Sequence, residues 1–246
     1  VCCSEDDLDY LHRQLREHFP QIHWRISQNG LLDSWQQCDA PVTKVLEFSL
    51  HSPFVIPLAN PGRHDFYVGL CACLAGIEAD EIAAFQVLFS PVRESWSDDI
   101  LASVSHPHRT SQAAVWDDGH MQKQAREKIS QPLYAVTLRM AAKSDTRQRS
   151  WNILRSLSQP LHAFTHQGNS LRPLYVENYS NATHEMDFLL RQTRRHGMIL
   201  NENELLGLAH FPSSQVRNAK LLRLSESTRR GRFDTEDESV NLGFNP

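Results

Sequence analysis

The sequence predicts an α+β protein: a ferredoxin-like βαββαβ antiparallel sheet with helices on one face, an extra N-terminal helix–strand unit and a C-terminal helical linker. Three observations predict it. Four short runs, Val45–Leu50, Ala84–Phe89, Leu133–Ala141 and Leu171–Val176, are rich in apolar, β-branched and aromatic residues, as strands are. Two longer apolar runs, 64–79 around Phe66 and 151–164 from Trp151, follow the first and third of these strands and have the length of helices. With 40% of its 246 residues hydrophobic, the chain can bury a sizeable core.

Taken in order, Ser4 followed by Glu5, Asp6 and Asp7 predicts a capped helix start whose acids face the positive end of the dipole. Leu8, Leu11, Leu15 and Phe19 continue at helical spacing, and Pro20 stops the run. Ile22, Trp24 and Ile26 alternate with His23 and Arg25, the period of a half-buried strand. Residues 29–42 read as a loop or short helix.

In Val45–Leu50, Val45, Glu47 and Ser49 alternate with Leu46, Phe48 and Leu50, the pattern of a strand. The helix of 64–79 is apolar on most sides, with Asp65 near its start and an end near Gly76. A helix over 96–104, a flexible stretch and a helix over 120–129 precede the third strand. Ser144 or Asp145 caps the Trp151 helix, which Pro160 bends. Residues 183–196 form a helix closed by Gly197, and 201–212 a short capped helix stopped by Pro212. This divides the chain into a helix–strand unit over 1–44, the α+β domain over 45–178 and a helical, then basic, linker over 179–246.

Composition narrows the function. Charged residues are 22% and the net charge is −4, so no global basic field holds nucleic acid, and any such contact needs a local patch. The five cysteines Cys2, Cys3, Cys38, Cys71 and Cys73 are odd in number and include no C-x-x-C pair. That points to reduced, mostly buried thiols and a cytoplasmic setting. No apolar stretch approaches the roughly 20 residues that cross a bilayer, so no membrane span is expected. The chain starts without Met, which reads as a piece of something longer.

Motifs for chemistry are sparse. His106, His108, Asp117 and His120 gather metal-ligand types in a polar region, but no element fixes their geometry and no glutamate is placed as a base. His162 and His166 are spaced i, i+4 on the expected helix, with Ala163, Phe164 and Thr165 where H-E-x-x-H needs an acid. The sequence has no G-x-S-x-G elbow, no G-x-x-x-x-G-K-[S/T] loop and no G-x-G-x-x-G turn among its ten glycines. We therefore expect no catalytic residues, no metal and no cofactor. The remaining candidate is basic: Arg191, Arg194, Arg195, Arg217, Lys220 and Arg223 could contact phosphates, against a plainer reading as a helix C-terminus and solvated linker.

Three segments carry a resemblance. They are Ala84–Val92 followed by Trp96; Gln131–Arg139 with its helix and Asn169-Ser170-Leu171; and Leu200-Asn201-Glu202-Asn203-Glu204-Leu205-Leu206-Gly207-Leu208-Ala209-His210-Phe211-Pro212. In this order they resemble the accessory region in front of the motor of HerA/FtsK-type ATPases of conjugation, type IV secretion and DNA translocation. The closing Val240-Asn241-Leu242-Gly243 is similar to the approach to such a motor. The resemblance implies a non-catalytic module for ring assembly and partner docking, with ATP hydrolysis belonging to sequence beyond Pro246. Its partners would be other copies of itself in a parent ring, an accessory protein and DNA. The alternative is a stand-alone nucleic-acid-binding protein using the Arg191–Arg232 patch.

Overall fold

The computed structural model describes residues 3–20, 27–62, 65–92, 118–166, 168–174, 179–194, 197–212 and 216. The chain divides into two units, one of residues 1–30 and 219–245, the other of residues 31–218. In the first, helix α1 (Glu5–His18) carries Glu5, Asp6 and Asp7 in its first turn and half-buries Leu8, Leu11 and Leu15 along one stripe. Ser4 stands at its N-cap, but the hydroxyl donates to Asp7 Oδ2 (2.6 Å) instead of accepting a backbone amide. The strand expected over 22–26 and the helix expected over 96–104 lie outside the described residues.

The second unit is built on an antiparallel sheet. Its elements are α2 (Gly30–Gln37), β1 (Val42–Leu50), α3 (Phe66–Ala75), β2 (Ile82–Pro91), α4 (Asp118–Ile129), β3 (Leu133–Ser144), α5 (Arg147–Ser158), β4 (Leu171–Pro173), α6 (Asn181–Leu189), β5 (Met198–Asn201) and α7 (Glu202–Leu208). Strand order is β2-β3-β1-β4, so the crossover through α3 straddles β3 and the crossover through α5 straddles β1. The α+β class and the run of elements from β1 to β4 are those expected from sequence. The expected limits at 44 and 178 both fall inside this unit, and α6, β5 and α7 build onto the sheet.

One face of the sheet presents Leu46 and Phe48 of β1 with Leu138 and Met140 of β3. These meet Phe66 and Leu70 of α3, Leu154 and Leu157 of α5 and Leu205 and Leu208 of α7. Burying each such side chain stabilises by about 1.5–3 kcal/mol. Phe66 lies at the centre of an aromatic group, with ring centroids 5.3 Å from Phe85 and 5.5 Å from Phe164. Thr146, not Ser144 or Asp145, caps α5, its hydroxyl accepting from Arg149 N (3.2 Å). The helix ends at Ser158 and gives way to a tighter 3₁₀ turn over Gln159–Phe164, because Pro160 cannot continue the α-helical ladder.

Helices cover the opposite face as well, where one covered face was expected. Trp35 of α2 and Phe188 of α6 pack at 5.1 Å against Val45 and Ala141. Glu47 and Arg139 are charged residues on this covered face, 2% and 1% exposed. They satisfy each other, so this face can be covered without stranding a charge.

The helix expected over 183–196 stops at Leu189, after which Arg191 takes a left-handed conformation (φ 55°). Gly197 closes no helix. It leads into β5, which pairs with the first residues of β3. Its φ is 67°, and a Cβ there would sit 2.4 Å from Val136 O, so only glycine fits this approach.

Candidate functional site

The run Leu200–Pro212 is anchored into the sheet by side chains from distant parts of the sequence. Asn201 caps α7, accepting from Glu204 N (3.0 Å), while Glu204 Oε2 accepts from Asn201 N (2.7 Å): a complete capping box. The same carboxylate accepts from Leu58 N (2.7 Å) through Oε1 and forms an ion pair with Lys128 of α4. Lys128 and Glu204 are both buried, at 0% and 3% exposure. Burial pushes the Lys128 ammonium down, and the Glu204 carboxylate opposes that shift.

Farther along, His210 Nδ1 lies 2.9 Å from Leu206 O and its Nε2 lies 3.1 Å from Asp65 Oδ1. Asp65 also caps α3, accepting from Tyr67 N (2.8 Å). The Tyr67 hydroxyl donates to Leu208 O (3.0 Å), and burial, followed by the charges of Asp65 and Cys71, pushes it up to about 12. Asn201, Glu204 and His210 thus each hold a local or cross-element contact, and Leu205 and Leu208 fill the core between them.

A second polar network binds α6 to the sheet. Arg139 Nε donates to Glu47 Oε2 (2.8 Å), and its Nη1 donates to the carbonyls of Asp187 (3.2 Å) and Gln192 (2.6 Å). The buried Asp187 carboxylate accepts from the Tyr179 hydroxyl and from Arg194 Nε (3.1 Å). His184 Nε2 lies 3.8 Å from Glu47 Oε2. Glu185 Oε1 accepts from Trp35 Nε1 (2.9 Å) and Thr43 Oγ1 (2.7 Å), joining α2, β1 and α6. Within this network Arg139 neutralises Glu47 and Arg194 neutralises Asp187, while Glu185 is held by the neutral donors Trp35 and Thr43.

Only some of the residues singled out from sequence fall among the described ones. Arg194 is on Asp187 with its side chain 63% exposed, and Arg191 forms the turn after α6. Arg195, Arg217, Lys220 and Arg223 lie outside the described residues, as do His106, His108 and Asp117. His120 falls in α4, but its side chain is not among those described. His162 sits in the 3₁₀ turn and His166 in an isolated bridge to Asn169, so the expected i, i+4 helix face does not exist. Cys71 is buried, as expected of a packing thiol, and burial, then Asp65, pushes its thiol up. Against the expectation of mostly buried thiols, Cys38 and Cys73 are half-buried and Cys3 is exposed; Cys73 Sγ donates to Ser156 O (3.3 Å).

An open cleft of about 430 Å³, lined by Ser49, Leu50, Ser52, Phe54, Met198 and Ile199 among others, lies where the end of β1 and the start of β5 meet along β3. Among the described residues no three metal-ligating side chains come together, and no helix is long and apolar enough to cross a membrane. Class and geometry define an α+β body with a firmly docked C-terminal run. Comparison with protein-family models, curated proteins and solved structures found no match.

Proposed function

We propose that this chain is the non-catalytic N-terminal module of a HerA/FtsK-type DNA-translocating ATPase, acting in the cytoplasm in ring assembly and partner docking. The observation that carries this reading is the fastening of Leu200–Pro212, the run on which the resemblance depends most. A segment joining a module to a motor must transmit position, which requires anchoring in the module's core. Lys128, Leu58 and Asp65 supply that anchoring. The exposed Arg194 is engaged by Asp187, which favours a structural role for that arginine over phosphate contact.

Sedimentation of the product of the complete reading frame, compared with the 246-residue chain, tests the reading. Ring-sized particles formed only by the longer product support it. A longer product that stays monomeric while binding DNA with steep salt dependence contradicts it and favours the stand-alone nucleic-acid reading.

A further inference from the structure

We infer that the outer edge of β2 is a docking surface for β2 of a second copy of this chain, forming a two-fold antiparallel contact. β2 stands at the end of the strand order and pairs with β3 over its full ten residues without a bulge. No residue of β2 is buried, although the run Ile-Ala-Ala-Phe-Gln-Val-Leu-Phe-Ser-Pro contains no charge. Edge strands that avoid pairing carry lysines, internal prolines or bulges. This one has proline only at its last position.

The hydrogen-bonding phase of the edge follows from one bond. Val92 N donates to Leu133 O (2.9 Å), which turns the even-numbered residues of β2 toward β3. The amides of Ala83, Phe85, Val87 and Phe89 therefore point away from the sheet, and no described strand meets them. Phe89 is also 56% exposed, with its ring touching only the edge of Tyr134 at 6.2 Å among the ring contacts of described residues.

A second copy is the occupant that suits this strand. In an antiparallel pair centred on Val87, Phe85 of one copy lies opposite Phe89 of the other, twice over. Cross-strand aromatic pairs are among the favourable ones, and no like charges meet within the strand. Such an isologous contact cannot close a ring. It joins two modules, and so adds to the proposed function without depending on it.

The test is sedimentation velocity of the full 246-residue chain over a wide concentration series, with two changes at Phe89. Phe89→Lys places a charge on the edge, and Phe89→Pro removes an outward amide while sparing the bonds to β3. A concentration-dependent dimer that both changes weaken about tenfold or more supports the inference. Met186→Lys, on the exposed side of α6, is the control expected to leave the dimer intact. Circular dichroism checks folding, and Phe89→Lys alone decides if Phe89→Pro does not fold. A wild-type chain that is monomeric throughout, or a dimer indifferent to both Phe89 changes, overturns the inference. Ring formation by the complete reading frame is a separate readout, so the two proposals can fail independently.

Discussion

Lys128 and Glu204, 76 positions apart in the sequence, form an ion pair that is closed off from solvent. The pair ties α4 to the start of α7, and Glu204 simultaneously caps that helix and receives the amide of Leu58. Removing Lys128 leaves a buried carboxylate with its amide donors but without its counter-charge. Lys128→Ala is expected to lower stability by about 3–5 kcal/mol, and the double change Lys128→Met with Glu204→Gln to lose less than Lys128→Ala alone. Urea denaturation of the three proteins measures this. A loss under about 1 kcal/mol for Lys128→Ala would show that the pair contributes little.

Gly197 is the position where a single methyl group does most harm. Alanine there meets Val136 O and adopts an unfavourable positive φ. The expected cost is about 2 kcal/mol or more, seen as a lower melting temperature and faster amide exchange in β5 than in β1. Equal exchange in the two strands would contradict the account.

Tyr67 links α3 to α7 through its hydroxyl, and burial, then the charges of Asp65 and Cys71, push that hydroxyl up to about 12. Tyr67→Phe is expected to remove tyrosinate absorbance that appears near pH 12 in an ultraviolet titration of the folded protein and to cost about 1 kcal/mol. If the variant's titration curve overlays that of the wild type, the assignment is wrong.

Acid should loosen the contact between α5 and the start of β2. The Arg149 guanidinium, at Nε 2.6 Å from Glu81 Oε1, holds the Glu81 carboxyl below its usual 4.5 against the opposing effect of burial. A depressed carboxyl stabilises the folded state above its unfolded pKa, and the contribution fades as pH falls through the folded value. Stability should therefore drop more below about pH 4.5 in the wild type than in Glu81→Gln. Parallel pH profiles for the two proteins would count against the contact.

The run of elements from β1 to β4 was legible because its signals are local: alternation in strands, apolar length in helices, and Asp65 at the head of α3. Burial of Cys71 was legible for the same reason. What escaped were relationships across the sequence. Glu47 and Arg139 lie on different strands, and it is their pairing that allows α2 and α6 to cover them. β5 has only four residues, too few for an alternation to register, and its partner lies more than sixty positions earlier. Lys128 sits among polar residues of α4, and Glu204 reads as an ordinary capping-box acid, so neither position advertises an ion pair. His162 and His166 misled because Pro160 changes the helix type before them.

The central claim, that this chain is the front module of a translocating ATPase, is most directly tested by sequencing the source reading frame beyond the codon for Pro246. The account predicts a glycine-rich loop ending in Gly-Lys-Ser or Gly-Lys-Thr, able to cradle a nucleotide phosphate, within a few dozen codons. A stop codon directly after Pro246 would contradict it.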